Sequence, residues 1–144
     1  MSLIGPIVII DDDVDDRDMI GAMLDELAII NPCRYFENGQ AALDYLLNTA
    51  ESPLLILCDI NMPVMNGLEL RDQIDADPYL KKKSIPFIFL TTSDSPILVR
   101  RAYSGNIQGY FKKFHSFQEG RDRLRLIINY WKYCLHPNNC KQTD

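Results

Sequence analysis

The stretch "IVIIDDDVDDRD", Ile7–Asp18, joins four consecutive aliphatic residues to six aspartates in eight positions. A short unbroken aliphatic run reads as a strand buried on both faces, the habit of a parallel sheet. Like charges repel, so carboxylates crowded where such a strand ends call for a cation. The rest of the chain must show which aspartates hold it.

Strand-like and helix-like segments alternate from there. Met19, Ile20, Met23, Leu24 and Leu27 fall on one helical face, predicting a helix from Asp15 to about Ile29, closed by Asn31-Pro32. Cys33–Phe36 is a second short strand, and Asn38-Gly39 opens a second helix carrying Ala42, Leu43, Leu46 and Leu47. Leu54–Cys58 is the most apolar strand, followed by the turn-rich "DINMPVMNG" and a helix over 68–76. "DPYLKKKS" reads as a polar, solvated connection. "PFIFLTT" is a fourth strand, and Ser95, Pro96 and Gly105 suit the start and end of the next helix. Gln108–Lys112 is a fifth strand. Ser116 and Glu119 form an S-x-x-E capping box for a last helix bearing Leu124, Ile127, Ile128, Trp131 and Leu135, which Pro137 stops. Five strands and five helices in alternation predict one α/β domain over residues 4–136, with helices on both faces of a parallel sheet and a polar tail over 137–144.

Composition narrows the function. A stretch of 144 residues is the length of one ordinary domain, so no separate output domain is expected within it. The net charge of −5 argues against a nucleic-acid-binding role. No apolar run reaches membrane-spanning length, and no signal-peptide pattern opens the chain. Cys33, Cys58, Cys134 and Cys140 lack C-x-x-C spacing and read as reduced structural thiols, so the expected setting is cytoplasmic. His115 and His136 lack ligand-spaced neighbours and read as surface residues.

Ligands of such sheets bind at the carboxyl ends of the strands. Asp11 and Asp12 stand after the first strand, Asp59 after the third, Thr91 and Thr92 after the fourth, and Lys113 by the fifth. Hard oxygen donors with room for water favour Mg²⁺. A hydroxyl and an amine beside them suit phosphoryl oxygens. Chemically this set describes phosphoryl transfer: metal, nucleophilic carboxylate, hydroxyl and cation. Asp13, Asp15, Asp16 and Asp18 need no part in it, since carboxylates in a first helical turn favour its positive end.

The pieces "IVIIDDD", "ENGQAALDYL", "LLILCDINMPVMNGLEL", "FIFLTT" and "GYFKK", in that order, resemble the receiver domain of two-component response regulators over essentially the whole chain. The "DPYLKK" connection and "IINYWKYCLHP" resemble the stand-alone receivers that work with phytochrome-like and hybrid histidine kinases. The resemblance implies a flavodoxin-like sheet of order 2-1-3-4-5 in a three-layer α/β/α sandwich. It implies that Asp59 is the phosphoacceptor, that Asp12 binds Mg²⁺ directly and Asp11 mainly through water, and that the Asn61 backbone carbonyl completes the protein ligands. Thr91 would bond the phosphoryl group, Lys113 would pair with it, and Thr91 with Tyr110 would form the switch. Lys113 is preferred to Lys112 because it lies three residues after Tyr110, and alternation turns Lys112 to the other face. Implied partners are a sensor histidine kinase or histidine phosphotransfer protein and a downstream protein target. The chain would be no enzyme beyond its own phosphorylation and dephosphorylation.

Departures from the family pattern are Phe114, where proline is usual after the lysine, and Thr92, which replaces the usual small residue and is expected to narrow access to Asp59. Asn61 and Ser93 flank the phosphoryl position and are expected to tune hydrolysis. Phe114, Phe117, Trp131 and Tyr133 either cover the core or form a homodimer surface through the fifth strand and fifth helix. Three other readings are weaker. An EF-hand loop starting at Asp11 would need glycine at Asp16 and glutamate at Ala22. A haloacid-dehalogenase-type phosphatase fits Asp11-x-Asp13-Val14 but lacks its later acidic pair and leaves Asp59 idle. A non-phosphorylated pseudo-receiver sits badly with the complete acid, acceptor, threonine and lysine set.

Overall fold

The computed structural model describes residues 2–135. Among these, five strands and six helices follow one another. The strands are β1 (Ile7–Ile10), β2 (Cys33–Phe36), β3 (Leu55–Cys58), β4 (Phe87–Thr91) and β5 (Gly109–Lys112). The helices are α1 (Val14–Glu26), α2 (Gly39–Asn48), α3 (Gly67–Ala76), α4 (Pro78–Lys83), α5 (Pro96–Ser104) and α6 (Phe117–Tyr133). All strand pairs are parallel, in the expected order β2-β1-β3-β4-β5. The expected 137–144 tail, Pro137, His136 and Cys140 lie outside the described residues, and no described helix is long and apolar enough to cross a membrane.

Strand alternation builds two cores. Ile7, Ile9, Leu55, Leu57, Ile88 and Leu90 face one way and pack with Ile20, Met23 and Leu24 of α1 and Leu124, Ile127 and Ile128 of α6. Val8, Ile10, Ile56, Cys58, Phe87 and Phe89 face the other way and meet α2, α3, α4 and α5. Each fully buried large side chain contributes about 1.5–3 kcal/mol. β1 and β3 are buried on both faces, which is why their sequences are uninterrupted aliphatic runs.

Four local expectations need correction. The lysine-rich connection is a helix, α4: Asp77 accepts from the Leu80 N–H, Pro78 occupies the first turn, and Leu80 is buried. Its three lysines fall in the last turn, where cations favour the helix C-terminus. The last helix ends at Tyr133, so Leu135 is exposed beyond it. Ser95 stands at the N-cap of α5 but makes no side-chain cap bond. Finally, α1 ends at Glu26, short of Ile29.

That last stop has a specific cause. The Ala28 N–H donates to Asp25 O at 3.0 Å and the Ile29 N–H to Leu24 O at 3.2 Å, the paired bonds of a Schellman motif. Ala28 takes the left-handed conformation this requires, at φ 54°. Ala28→Gly removes the Cβ clash while loosening the unfolded chain, and the first effect wins. Urea unfolding is expected to show a gain of about 0.5–1 kcal/mol.

Candidate functional site

The sheet order reverses between β1 and β3, and this opens a crevice at their carboxyl ends. The ladder continues past the strands to fix the residues there. The Asp11 N–H donates to Phe36 O at 3.0 Å, the Asp59 N–H to Ile10 O at 2.9 Å, and the Lys113 N–H to Thr91 O at 2.7 Å. Asp11, Asp59 and Thr91 are buried, whereas Asp12 is exposed. Carboxylate oxygens of Asp11, Asp12 and Asp59 lie within 4.8 Å of one another, so these three residues could hold a metal ion. Asn61 follows on the loop after Asp59 with its side chain exposed.

One ammonium ties the acids together. Lys113 Nζ lies 2.9 Å from Asp11 Oδ2, 3.2 Å from Asp59 Oδ2 and 2.6 Å from Asp16 Oδ2. Burial opposes its charge, but the hydrogen bonds to Asp16 and Asp11 and the field of Asp59 outweigh that, holding it above the ordinary lysine range. Burial in turn pushes the Asp11 carboxyl up, against the lowering effect of Lys113 and the Asp13 N–H. Lys112 is exposed and pairs with Asp94 at 3.3 Å, on the other side of the strand from the acids. Asp13 is the N-cap of α1, accepting from the Asp15 and Asp16 N–H groups. Its position implies only a helix-start role for Asp16; the structure also brings it to Lys113. No local pattern announces that contact, which spans 97 residues.

Asp59 is clamped from below. Its Oδ1 accepts from the Ile60 N–H at 2.7 Å. Gly67 N–H donates to Ile60 O at 2.8 Å, and a Cβ on Gly67 would stand 2.2 Å from Asp59 O. Only glycine lets α3 start this close. Between them, Met65 N–H bonds back to Pro63 O around Val64, whose φ is 67°, and Gly39 N–H donates to Met65 O at 2.9 Å. A β-branched residue at positive φ is strained, and strain of this kind gathers at functional loops.

The remaining candidates lie on β4 and β5. Thr91 is fully buried and its Oγ1 has no hydrogen-bond partner. Thr92 is exposed. The half-buried Tyr110 ring packs 6.2 Å from Phe89, and its hydroxyl donates to Ser93 O at 2.6 Å. Phe114 packs on the α1–α6 core: a Cβ on Gly120 would meet Met23 at 2.4 Å and Phe114 at 2.7 Å. The described backbone contains no cis peptide. Trp131 also packs on this core, whereas Phe117 and Tyr133 are exposed.

Fold, switch-point acids and lysine together describe a signalling receiver. The family model for the response regulator receiver domain matches residues 7–125, and the chain belongs to that family. Probable methanogenesis regulatory protein FilR2 of Methanothrix harundinacea is 30% identical over 129 residues, 87% of this chain and 82% of that protein. The phosphorylated cyanobacterial phytochrome response regulator RcpA superposes with a TM-score of 0.80 at 25% identity, covering 92% of this chain and 96% of that one. The Mn²⁺-bound form of response regulator Rcp1 gives 0.78 at 25% identity, covering 92% and 97%.

An unpartnered buried hydroxyl costs stability, and valine keeps its shape. Thr91→Val is therefore expected to raise the unfolding free energy by about 1 kcal/mol. Urea titration should show a higher midpoint with an unchanged slope.

Proposed function

We propose that this chain is a phosphorylation-controlled receiver in which Asp59 accepts a phosphoryl group. The donor is a phosphohistidine on a sensor histidine kinase or histidine phosphotransfer protein. One observation carries the reading: Asp59 is a nearly buried carboxylate at the switch point, aimed between Lys113 and a second carboxylate, beside a hydroxyl with no partner. No stability argument explains that combination, because removing the charges would relieve repulsion.

An Asp59 carboxylate oxygen forms a bond to phosphorus as the P–N bond to the donor imidazole breaks, and the imidazole nitrogen takes up a proton. Water later hydrolyses the acyl phosphate, restoring the carboxylate and releasing inorganic phosphate. Lys113 neutralises charge on the transferring group, and Thr91 donates its free hydroxyl proton to a phosphoryl oxygen. The donor set of Asp11, Asp12, Asp59 and the Asn61 carbonyl is all hard oxygen and fits Mg²⁺, which supplies further neutralisation when bound. The product gains about 1.5–2 negative charges at neutral pH. Thr91 drawn toward that charge alters the loop to which Tyr110 is bonded, changing the surface of α5, β5 and α6. The output is protein–protein contact, in the cytoplasm, without nucleic acid.

Intact mass after incubation with acetyl phosphate and Mg²⁺ is expected to show one phosphoryl adduct on the native chain and none on Asp59→Asn. An adduct surviving that substitution would assign the acceptor elsewhere.

We also propose a homodimer through β5 and α6. A cavity of about 430 Å³ there is lined by Phe111, Leu126, Ile127, Tyr130 and Trp131, of which Leu126 and Tyr130 are exposed. Exposed apolar patches of this kind mark association surfaces. Light scattering is expected to give twice the chain mass when the chain carries a phosphoryl mimic; a monomer with and without the mimic ends this proposal.

A further inference from the structure

Four carboxylates, Asp11, Asp12, Asp16 and Asp59, share the site with Lys113. The receiver chemistry proposed above needs only three of them. The fourth is the one closest to the ammonium: 2.6 Å for Asp16, against 2.9 Å for Asp11 and 3.2 Å for Asp59. The ammonium donates to Asp16 and Asp59 and is ion-paired with Asp11, so three carboxylates crowd its three protons. A phosphoryl oxygen arriving at Asp59 therefore meets a lysine already engaged by carboxylates, with an anchor on its far side. That anchor is firm. Asp16 sits in the first turn of α1, its N–H capped by Asp13 Oδ1 at 3.2 Å, and α1 is packed on the core through Ile20, Met23 and Leu24. Asp16, fixed on α1, cannot follow Lys113 toward the phosphoryl group, so Lys113 must stretch or give up its shortest ion pair.

We propose that Asp16 is a positioning residue that restrains Lys113 on the α1 side of the crevice and slows phosphoryl arrival at Asp59. An interaction stronger in the resting site than in the transition state raises the barrier. Asp16 also adds a negative charge that repels a dianionic donor, so both effects act in the same direction. The inference rests on Asp59 being the acceptor.

Its test is the initial rate of phosphorylation of the full chain by acetyl phosphate with Mg²⁺, in four forms. Asp16→Asn removes the charge and the ion pair and is expected to react about fivefold faster than the native chain. Asp16→Glu keeps a carboxylate within reach of Lys113 and is expected to stay within about twofold of native. Asp15→Asn removes an equal charge one residue away that touches no part of the site, and is likewise expected to stay near native. Far-ultraviolet circular dichroism confirms that each form is folded. An unchanged or slower Asp16→Asn rate overturns the proposal. So does an equal acceleration in Asp15→Asn, which would mean general charge, or in Asp16→Glu, which would mean the ion pair is irrelevant. Absence of an adduct on the native chain, or one that survives Asp59→Asn, fails the acceptor reading instead, a distinguishable result.

Discussion

The ion pairs of Lys113 are the constraint on which the rest depends. Three carboxylates, two just past the ends of β1 and β3 and one on α1, converge on one ammonium, and without it the crevice would be a concentration of uncompensated negative charge in a half-buried place. Burying an unpaired charge costs several kcal/mol, so the fold has to deliver Lys113 reliably. It does so by alternation. Lys113 follows Phe111 by two positions and shares its face, the side covered by α1 and α6. The adjacent Lys112 projects away to Asp94. A one-residue slip of β5 would turn both Phe111 and Lys113 to the opposite face.

The second constraint is close approach. Gly67 lets the start of α3 press against the Asp59 carbonyl, and Gly39 lets the start of α2 press against the Met65 carbonyl. The loop between β3 and α3 is thus pinned at both ends, with Val64 held at positive φ in the middle. Such a loop has little freedom, which suits the acceptor role proposed for the Asp59 carboxylate.

Much of this was legible in the sequence because the information was local. Aliphatic runs located the strands, turn residues marked their ends, and the acids, Thr91 and Lys113 stood where strand ends must be. The division of the aspartate run was half legible. Asp13 is the helix cap its position implied, but the partner of Asp16 lies across the sheet, and nothing near position 16 announces it. The α4 helix hid behind its lysines: Asp77-Pro78 was a sound start signal, but Leu80 is its only buried residue, too little for a periodic pattern. The early end of α1 was hidden because Ala28, not glycine, occupies the left-handed position.

The same geometry suggests how an event at the site reaches the surface. Thr91 is held to β5 by the Lys113 N–H on its carbonyl, and two residues on Ser93 is held to β5 by the Tyr110 hydroxyl. The loop after β4 is therefore stitched to β5 at both ends of a three-residue span. Thr91 has an unspent hydroxyl, so a new acceptor in the crevice offers it a bond with no old side-chain bond to break. Any shift it makes loads the Ser93–Tyr110 bond, whose donor ring is only half buried and packs against Phe89. The buried Thr91 hydroxyl and the half-buried Tyr110 ring are thus joined through one short backbone span, the connection on which the proposed switch rests.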